Sequence, residues 1–196
     1  MAPAAQPLRM SFLEYVAFEK TADVKHEYLD GHVWAMAGGT LEHAQLAANM
    51  IRELGTRLEG GPCKTFTADA RVRVMATGLS TYPDITVICG PIERDPEDPN
   101  TATNPTIIVE ILSDSTEAYD RGDKFVHYRR IASLEAYVLV SQHEPRIEVY
   151  RRNADASWTL EEARPGADAK IAELCAVPVS AVYAGVALTP APPRAG

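Results

Sequence analysis

Two acids interrupt the most apolar stretches of this sequence. Glu110 lies within Ile107-Ile108-Val109-Glu110-Ile111-Leu112, and Asp84 opens Asp84-Ile85-Thr86-Val87-Ile88. The first run is almost continuously apolar, the pattern of a central strand covered on both faces. An ionised carboxylate in such a strand is costly unless it is paired or holds a metal. Two of them converging from neighbouring strands would make an oxygen-rich site for a hard cation such as Mg²⁺. The competing arrangement leaves Asp84 at a strand mouth in solvent and pairs Glu110 with an arginine such as Arg71.

Other polar residues carry weaker signals. Asp120, Lys124 and Tyr128 are spaced i, i+4, i+8, so a helix presents them on one face. The plain reading is a surface ion pair beside a half-buried tyrosine. His43, early in a long helical pattern, stands where it could touch a phosphate or pass a proton, or is simply structural. Arg71 and Arg73 alternate in step with Asp69, so they meet phosphates or neutralise an acid cluster. His26 and His32 straddle a turn, and no H-E-x-x-H is present. A G-x-S-x-G elbow, a P-loop and a strand-borne G-x-G-x-x-G are also missing, which removes the common hydrolase and nucleotide sites. Arg129-Arg130 and Arg151-Arg152 are too short to make a nucleic-acid patch.

The elements that must position these residues follow from local pattern. Ser11 and Glu14 form a capping box before Tyr15, Val16 and Phe18. Asp30-Gly31 between Tyr28-Leu29 and Val33-Trp34 predicts a hairpin, ended by Gly38-Gly39. From Thr40 the stripe Leu46, Met50, Leu54, Leu58 predicts a long helix, stopped by Gly60-Gly61-Pro62. From Lys64 the period changes to two, with Phe66, Ala68, Ala70, Val72 and Val74 on one face of a strand. A second strand spans Tyr82 to Cys89, residues 91–105 read as a loop, and Thr106 to Leu112 is the central strand. A helix is expected from Tyr119 to Ile131, strands at 135–141 and 146–151, a weaker pair at 157–163 and 168–171, and a last short helix near Ser180. This order predicts an α/β or α+β fold, a central mixed sheet flanked by helices.

Composition sets the outer bounds. The chain has 196 residues, 46% hydrophobic and 23% charged, as expected of one globular domain rather than a disordered chain. Nineteen Lys and Arg against 27 Asp and Glu leave a net charge of −8, which argues against coating nucleic acid by bulk charge. A locally basic cleft is still compatible with that balance. Cys63, Cys89 and Cys175 are an odd count with no close pair, so neither a disulfide framework nor a thiolate zinc cage is expected. Met1 to Met10 lacks the apolar segment of a signal peptide, and no run approaches the roughly 18 residues of a membrane span. A cytoplasmic, reduced protein is expected, with residues 1–10 and 189–196 as flexible tails around a domain at 11–188.

Tyr82-Pro83-Asp84 followed by Val109-Glu110-Ile111-Leu112-Ser113 resembles the PD-(D/E)xK nuclease superfamily, and more closely the Uma-type restriction endonuclease domain. His26 to Gly31, His43, Asp69-Ala70-Arg71-Val72-Arg73, and Leu112 to Thr116 with Asp120, Lys124 and Tyr128 extend that resemblance, as do Tyr137-Val138-Leu139-Val140 and Ile147-Glu148-Val149-Tyr150. It covers about residues 11 to 188, and the ordered set is more specific than any one motif. The resemblance implies a restriction-endonuclease-like core and a Mg²⁺ (or Mn²⁺) site at Asp84, Glu110 and Ile111. A metal held there would polarise a scissile phosphate of DNA and activate water for in-line attack. The superfamily expects a lysine two residues after the second acid, where this chain has Leu112. Lys124 is the substitute the resemblance offers, with Glu27 as an accessory acid. His43, Asp69, Arg71, Ser113, Asp120 and Tyr128 are implied as substrate-contacting or supporting residues.

A homodimer acting on DNA, with no membrane partner, follows from the same resemblance. The alternative is a nuclease fold kept as a catalytically silent module for binding DNA or protein. Leu112 and the acidic stretch 93–98 favour it. Hydrolysis of some other phosphate ester is a third reading.

Overall fold

In the computed structural model, which describes residues 8–188, the first local signals are met directly. Leu8–Arg9 form a short strand, β1, and Ser11 caps helix α1 (Phe12–Glu19). The Ser11 hydroxyl accepts from the Glu14 N–H at 3.3 Å, and the Glu14 carboxylate accepts from the Ser11 N–H at 2.7 Å. Strands β2 (His26–Leu29) and β3 (His32–Ala35) pair antiparallel around Asp30 and Gly31. Their φ values of 49° and 83° are the left-handed pair that a two-residue hairpin turn requires. β1 pairs antiparallel with β3, Leu8 opposite Val33 and Arg9 opposite His32. The remainder of the expected N-terminal tail, and residues 189–196, lie outside the described residues.

Helix α2 (Leu41–Arg57) starts at Thr40, whose hydroxyl accepts from the His43 N–H, and it buries Leu46, Met50 and Leu54. The strand expected from Lys64 to Val74 is two strands, β4 (Cys63–Thr67) and β5 (Arg71–Arg73), parted by a turn at residues 68–70. Alternation of two persists through that turn, so pattern alone cannot show that the chain changes sheets there.

Strands β5, β6 (Ser80–Thr81) and β8 (Thr101–Ala102) join the first hairpin in a six-stranded sheet ordered β1-β3-β2-β6-β5-β8. A second sheet collects β4, β7 (Ile85–Cys89), β9 (Ile107–Leu112), β10 (Ala136–Ser141), β11 (Ile147–Arg152) and β12 (Trp158–Ala163). Its order is β12-β11-β10-β9-β7-β4, mixed because only β9 and β10 run parallel.

The expected helix 119–131 is broken into α3 (Glu117–Arg121) and α4 (Asp123–Tyr128) at Gly122, whose backbone leaves the helical region. The weaker strands do not pair with each other. β12 extends the second sheet, and β13 (Asp168–Ile171) pairs with β14 (Cys175–Pro178) ahead of α5 (Val179–Val182).

β9 is the divider of the core. Ile107, Val109 and Ile111 pack into one cluster with the α2 stripe, while Ile108 and Leu112 pack with Val72, Leu79 and Tyr128 on the other face. The result is the expected mixed sheet flanked by helices, with the first sheet covering part of one face. No helix among the described residues is long and apolar enough to cross a membrane.

Two expectations are corrected by this topology. Cys63 and Cys89 face each other across β4 and β7, their Cα atoms 3.8 Å apart, and form a disulfide. Their separation of 26 positions in the chain concealed a pairing that only sheet register creates. Arg71 does not pair with Glu110. Its guanidinium donates to Asp98 at 2.5 Å and to the Thr101 hydroxyl at 2.8 Å, in a site where Asp98 is 1% exposed. Arg73 holds Asp95 at 2.8 Å and Glu97 at 3.0 Å. Three of the four acids in the stretch 93–98, Asp95, Glu97 and Asp98, are thus paired with arginine within the fold. Arg71→Ala would strand a buried carboxylate, so urea unfolding should show a loss of about 3–5 kcal/mol. A loss below about 1 kcal/mol, the range of an exposed pair, would refute that role.

Candidate active site

β7 and β9 pair antiparallel with Ile85 opposite Val109 and Thr86 opposite Ile108. One step further along this register sets Asp84 opposite Glu110 on the same face of the sheet. The ladder opens at that point because β6 belongs to the first sheet and β7 to the second, with Pro83-Asp84 at the crossing. The Asp84 N–H donates to Glu110 Oε2 at 3.3 Å. Asp84 Oδ2 accepts from the Ile111 N–H at 2.7 Å, and Oδ1 lies 3.0 Å from His43 Nε2. The two acids expected to converge do so.

Lys124 reaches the same place from α4. Its ammonium is buried, 3.0 Å from Glu110 Oε1 and 3.3 Å from both Glu27 Oε1 and Asp120 Oδ1. The break at Gly122 leaves Asp120, Lys124 and Tyr128 on one inward face, all of them buried, so the surface ion-pair reading fails. The Tyr128 hydroxyl donates to Glu110 Oε1 at 2.9 Å. Glu27 is held by the Thr81 hydroxyl and by Trp34 Nε1–H at 3.2 Å. Ser113 lines the mouth and hydrogen-bonds the hydroxyls of Ser115 and Thr116. Asp69 stands outside, exposed and paired to Lys25 at 2.6 Å, and Arg71 lies behind Tyr82 without reaching the pocket.

Charge explains the electrostatics. Three carboxylates, Glu27, Glu110 and Asp120, share one lysine. Burial raises the Glu110 carboxyl to about 8 against the pull of Lys124, with Asp120 and Asp84 adding to the rise. Asp120 is raised for the same first reason, burial. Lys124 is also raised, because Glu110, Glu27 and Asp120 outweigh the burial that opposes its charge. His43 is raised as well: burial pulls it down, but the hydrogen bond and charge of Asp84 prevail. Asp84→Asn should therefore drop the His43 pKa, read from its ring signals in an NMR titration. An unmoved His43 would show that the pair does not form in solution.

These groups floor a pocket of about 700 Å³. Its donors are hard oxygens with surplus negative charge, and the buried Asp120 Oδ1 meets only the ammonium of Lys124, at 3.3 Å. That set fits Mg²⁺ or Mn²⁺. Among the described residues no three Asp, Glu, His or Cys side chains converge closely enough to hold one ion as they stand. An ion would be held by Asp84 and Glu110 together with main-chain oxygen and water. The Ile111 side chain is in the core, so this residue can offer only its backbone.

Sequence reasoning missed Trp34 and Thr81, which hold Glu27, and Tyr119, whose ring lines the pocket 5.6 Å from the Lys124 ammonium. Trp34 was legible in principle, since a two-residue turn at Asp30-Gly31 fixes it opposite Glu27.

The family described as "Uma2: Putative restriction endonuclease" matches residues 12–179. Two uncharacterized proteins of Synechocystis sp. are similar over most of their length. One, slr1290, is 37% identical over 158 residues, covering 81% of this chain and 82% of that protein. The other, sll1609, is 32% identical over 149 residues, covering 76% and 84%. In three dimensions the chain resembles a crystal structure described as "a putative nuclease belonging to DUF820" from Anabaena variabilis, with a TM-score of 0.71 at 17% identity. That similarity covers 89% of this chain and 98% of the other.

Proposed function

We propose that this chain, which belongs to the Uma2 family, is a Mg²⁺- or Mn²⁺-dependent endodeoxyribonuclease. The observation that carries this reading is the β7–β9 register, which faces Asp84 with Glu110 in an open pocket beside a buried lysine.

Asp84 and Glu110 would hold the cation, which when bound polarises the scissile phosphate and makes water a better nucleophile. The Ile111 N–H and His43 fix the orientation of the Asp84 carboxylate, and Tyr128 fixes that of Glu110. Lys124 is the positive charge nearest the reacting phosphate and offsets the negative charge that builds on it. Leu112 packs on the same face of β9 as Glu110, filling the superfamily's lysine position with core, and Lys124 supplies the ammonium from α4 instead. Glu27 keeps Lys124 charged and is itself held by Thr81 and Trp34. Cutting both strands of a duplex would take two such sites, which a homodimer provides.

Calorimetric titration of Mg²⁺ and Mn²⁺, with plasmid cleavage followed alongside, tests this. Saturable binding and cleavage are expected in the wild type, and both should disappear in Asp84→Asn. A wild type that neither binds metal nor cuts DNA would overturn the proposal. One observation favours the silent-module alternative: Glu110 already has Lys124 and Tyr128 as partners without any metal. Retention of DNA by the wild type, without cleavage at any metal concentration, would establish that alternative.

A further inference from the structure

The pocket above the acids is unlike a groove for duplex DNA. A duplex tracks along positive charge that meets two phosphate backbones. Here the basic groups of the lining are all taken: Lys124 is buried among three acids, His43 is held by Asp84 at 3.0 Å, and the Lys25 ammonium is taken by Asp69 at 2.6 Å and the Ala68 carbonyl at 2.9 Å. One wall is apolar and aromatic, formed by Val24, Trp34, Met36 and Tyr82, while Ser113, Ser115 and Thr116 line the mouth. Val24 is 54% exposed, so this wall is open to solvent at its rim.

Trp34 is the key residue. It sits opposite Glu27 in the hairpin, so it faces the acids, and its Nε1–H is tied to Glu27 Oε2 at 3.2 Å. That bond anchors one edge of the indole at the acid site while the ring lines the pocket. The pocket's volume of about 700 Å³ lies within the roughly 300–1,000 Å³ of small-ligand sites. A single unstacked nucleotide matches both halves of the pocket, its phosphate directed to the acids and its base to the apolar wall. Aromatic side chains hold unpaired bases this way because every base offers a π-face.

We propose that the substrate is an unpaired stretch of DNA, a single strand, loop or flap, and that Trp34 is the platform for the base next to the scissile phosphate. This rests on the nuclease reading of the acid site and adds the class of DNA it accepts.

The test is anisotropy of a labelled oligothymidylate and of a hairpin duplex of equal length, with Ca²⁺ in place of Mg²⁺, beside Mg²⁺-dependent cleavage of the same two substrates. The single strand should bind at least tenfold tighter than the duplex. Trp34→Leu, which keeps apolar bulk but no ring, should weaken single-strand binding by about tenfold or more. Trp34→Phe, which keeps a ring and loses the hydrogen bond to Glu27, should restore most of that binding. If stability alone were lost, Phe and Leu would fail together on both substrates, and the platform role would fall. Equal affinity for single strand and duplex, or undiminished binding by Trp34→Leu, also overturns the proposal, even where the duplex is cut and the nuclease reading stands. Conversely, Trp34-dependent single-strand binding without cleavage of either substrate would sustain the platform and remove the nuclease.

Discussion

Replacing Glu110 with Gln should abolish cleavage, by at least about 10³-fold, and at the same time make the metal-free protein more stable at alkaline pH. The first effect follows from removing one of the two acids that would hold the cation. The second follows from burial. Glu110 is 3% exposed and its carboxyl is raised to about 8, from 4.5 as a free side chain. Between those values the folded state holds a proton that the unfolded state has released, so stability falls as pH rises from about 4.5 to about 8. Above 8 the loss is complete and constant. Gln mimics the neutral acid and has no such loss, so the variant's thermal midpoint should exceed wild type at pH 8–9 and approach it near pH 4.5. Metal affinity of the wild type should also depend on this proton, weakening about tenfold per pH unit below 8 as the ion must displace it. Thermal scans from pH 5 to 9 decide the matter. A variant less stable than wild type at pH 9 would mean that Lys124 keeps Glu110 ionised in the folded state.

The second large effect is expected at Lys124. Its ammonium is the shared partner of Glu27, Glu110 and Asp120, and among the described residues no other Lys or Arg forms an ion pair with these acids. Lys124→Met keeps the length of the side chain and removes the charge, leaving three buried acids to repel one another. Breaking a buried pair by deleting one partner typically costs about 3–5 kcal/mol. Denaturant unfolding at pH 9, where Glu110 is ionised, should show a deficit of that size, shrinking below pH 8 as Glu110 takes up its proton. Added Mg²⁺ should recover more stability in the variant than in wild type, because the ion then meets uncompensated carboxylates. Cleavage should stay lost even where Mg²⁺ restores the fold, since the charge proposed to face the phosphate is gone. A Lys124→Met protein that cuts DNA at the wild-type rate would end the assignment of Lys124 to the reaction.

The sequence by itself determined those parts of the protein that local pattern encodes. Asp30-Gly31 prescribes left-handed backbone that only a tight hairpin turn uses, and the hairpin is there. The four-residue repeat of Leu46, Met50 and Leu54 buries one stripe of α2, and the unbroken run around Glu110 buries β9 on both faces. An acid inside such a run is conspicuous because its desolvation must be met by something, so the two acids of the site were legible without coordinates.

Tertiary structure decided what meets them. Arg71 and Lys124 were both available as partners for Glu110, and their spacing in the chain does not distinguish them. The sheet that carries β5 turns Arg71 toward Asp98, while α4 delivers Lys124 to Glu110. Cys63 and Cys89 look unrelated until the β4–β7 register sets them opposite each other. The alternation from Phe66 to Val74 conceals a change of sheet, since a period of two records which side is buried and not which neighbour buries it. Pairings of this kind depend on register between segments far apart in sequence, and register is fixed by the packing of the whole core.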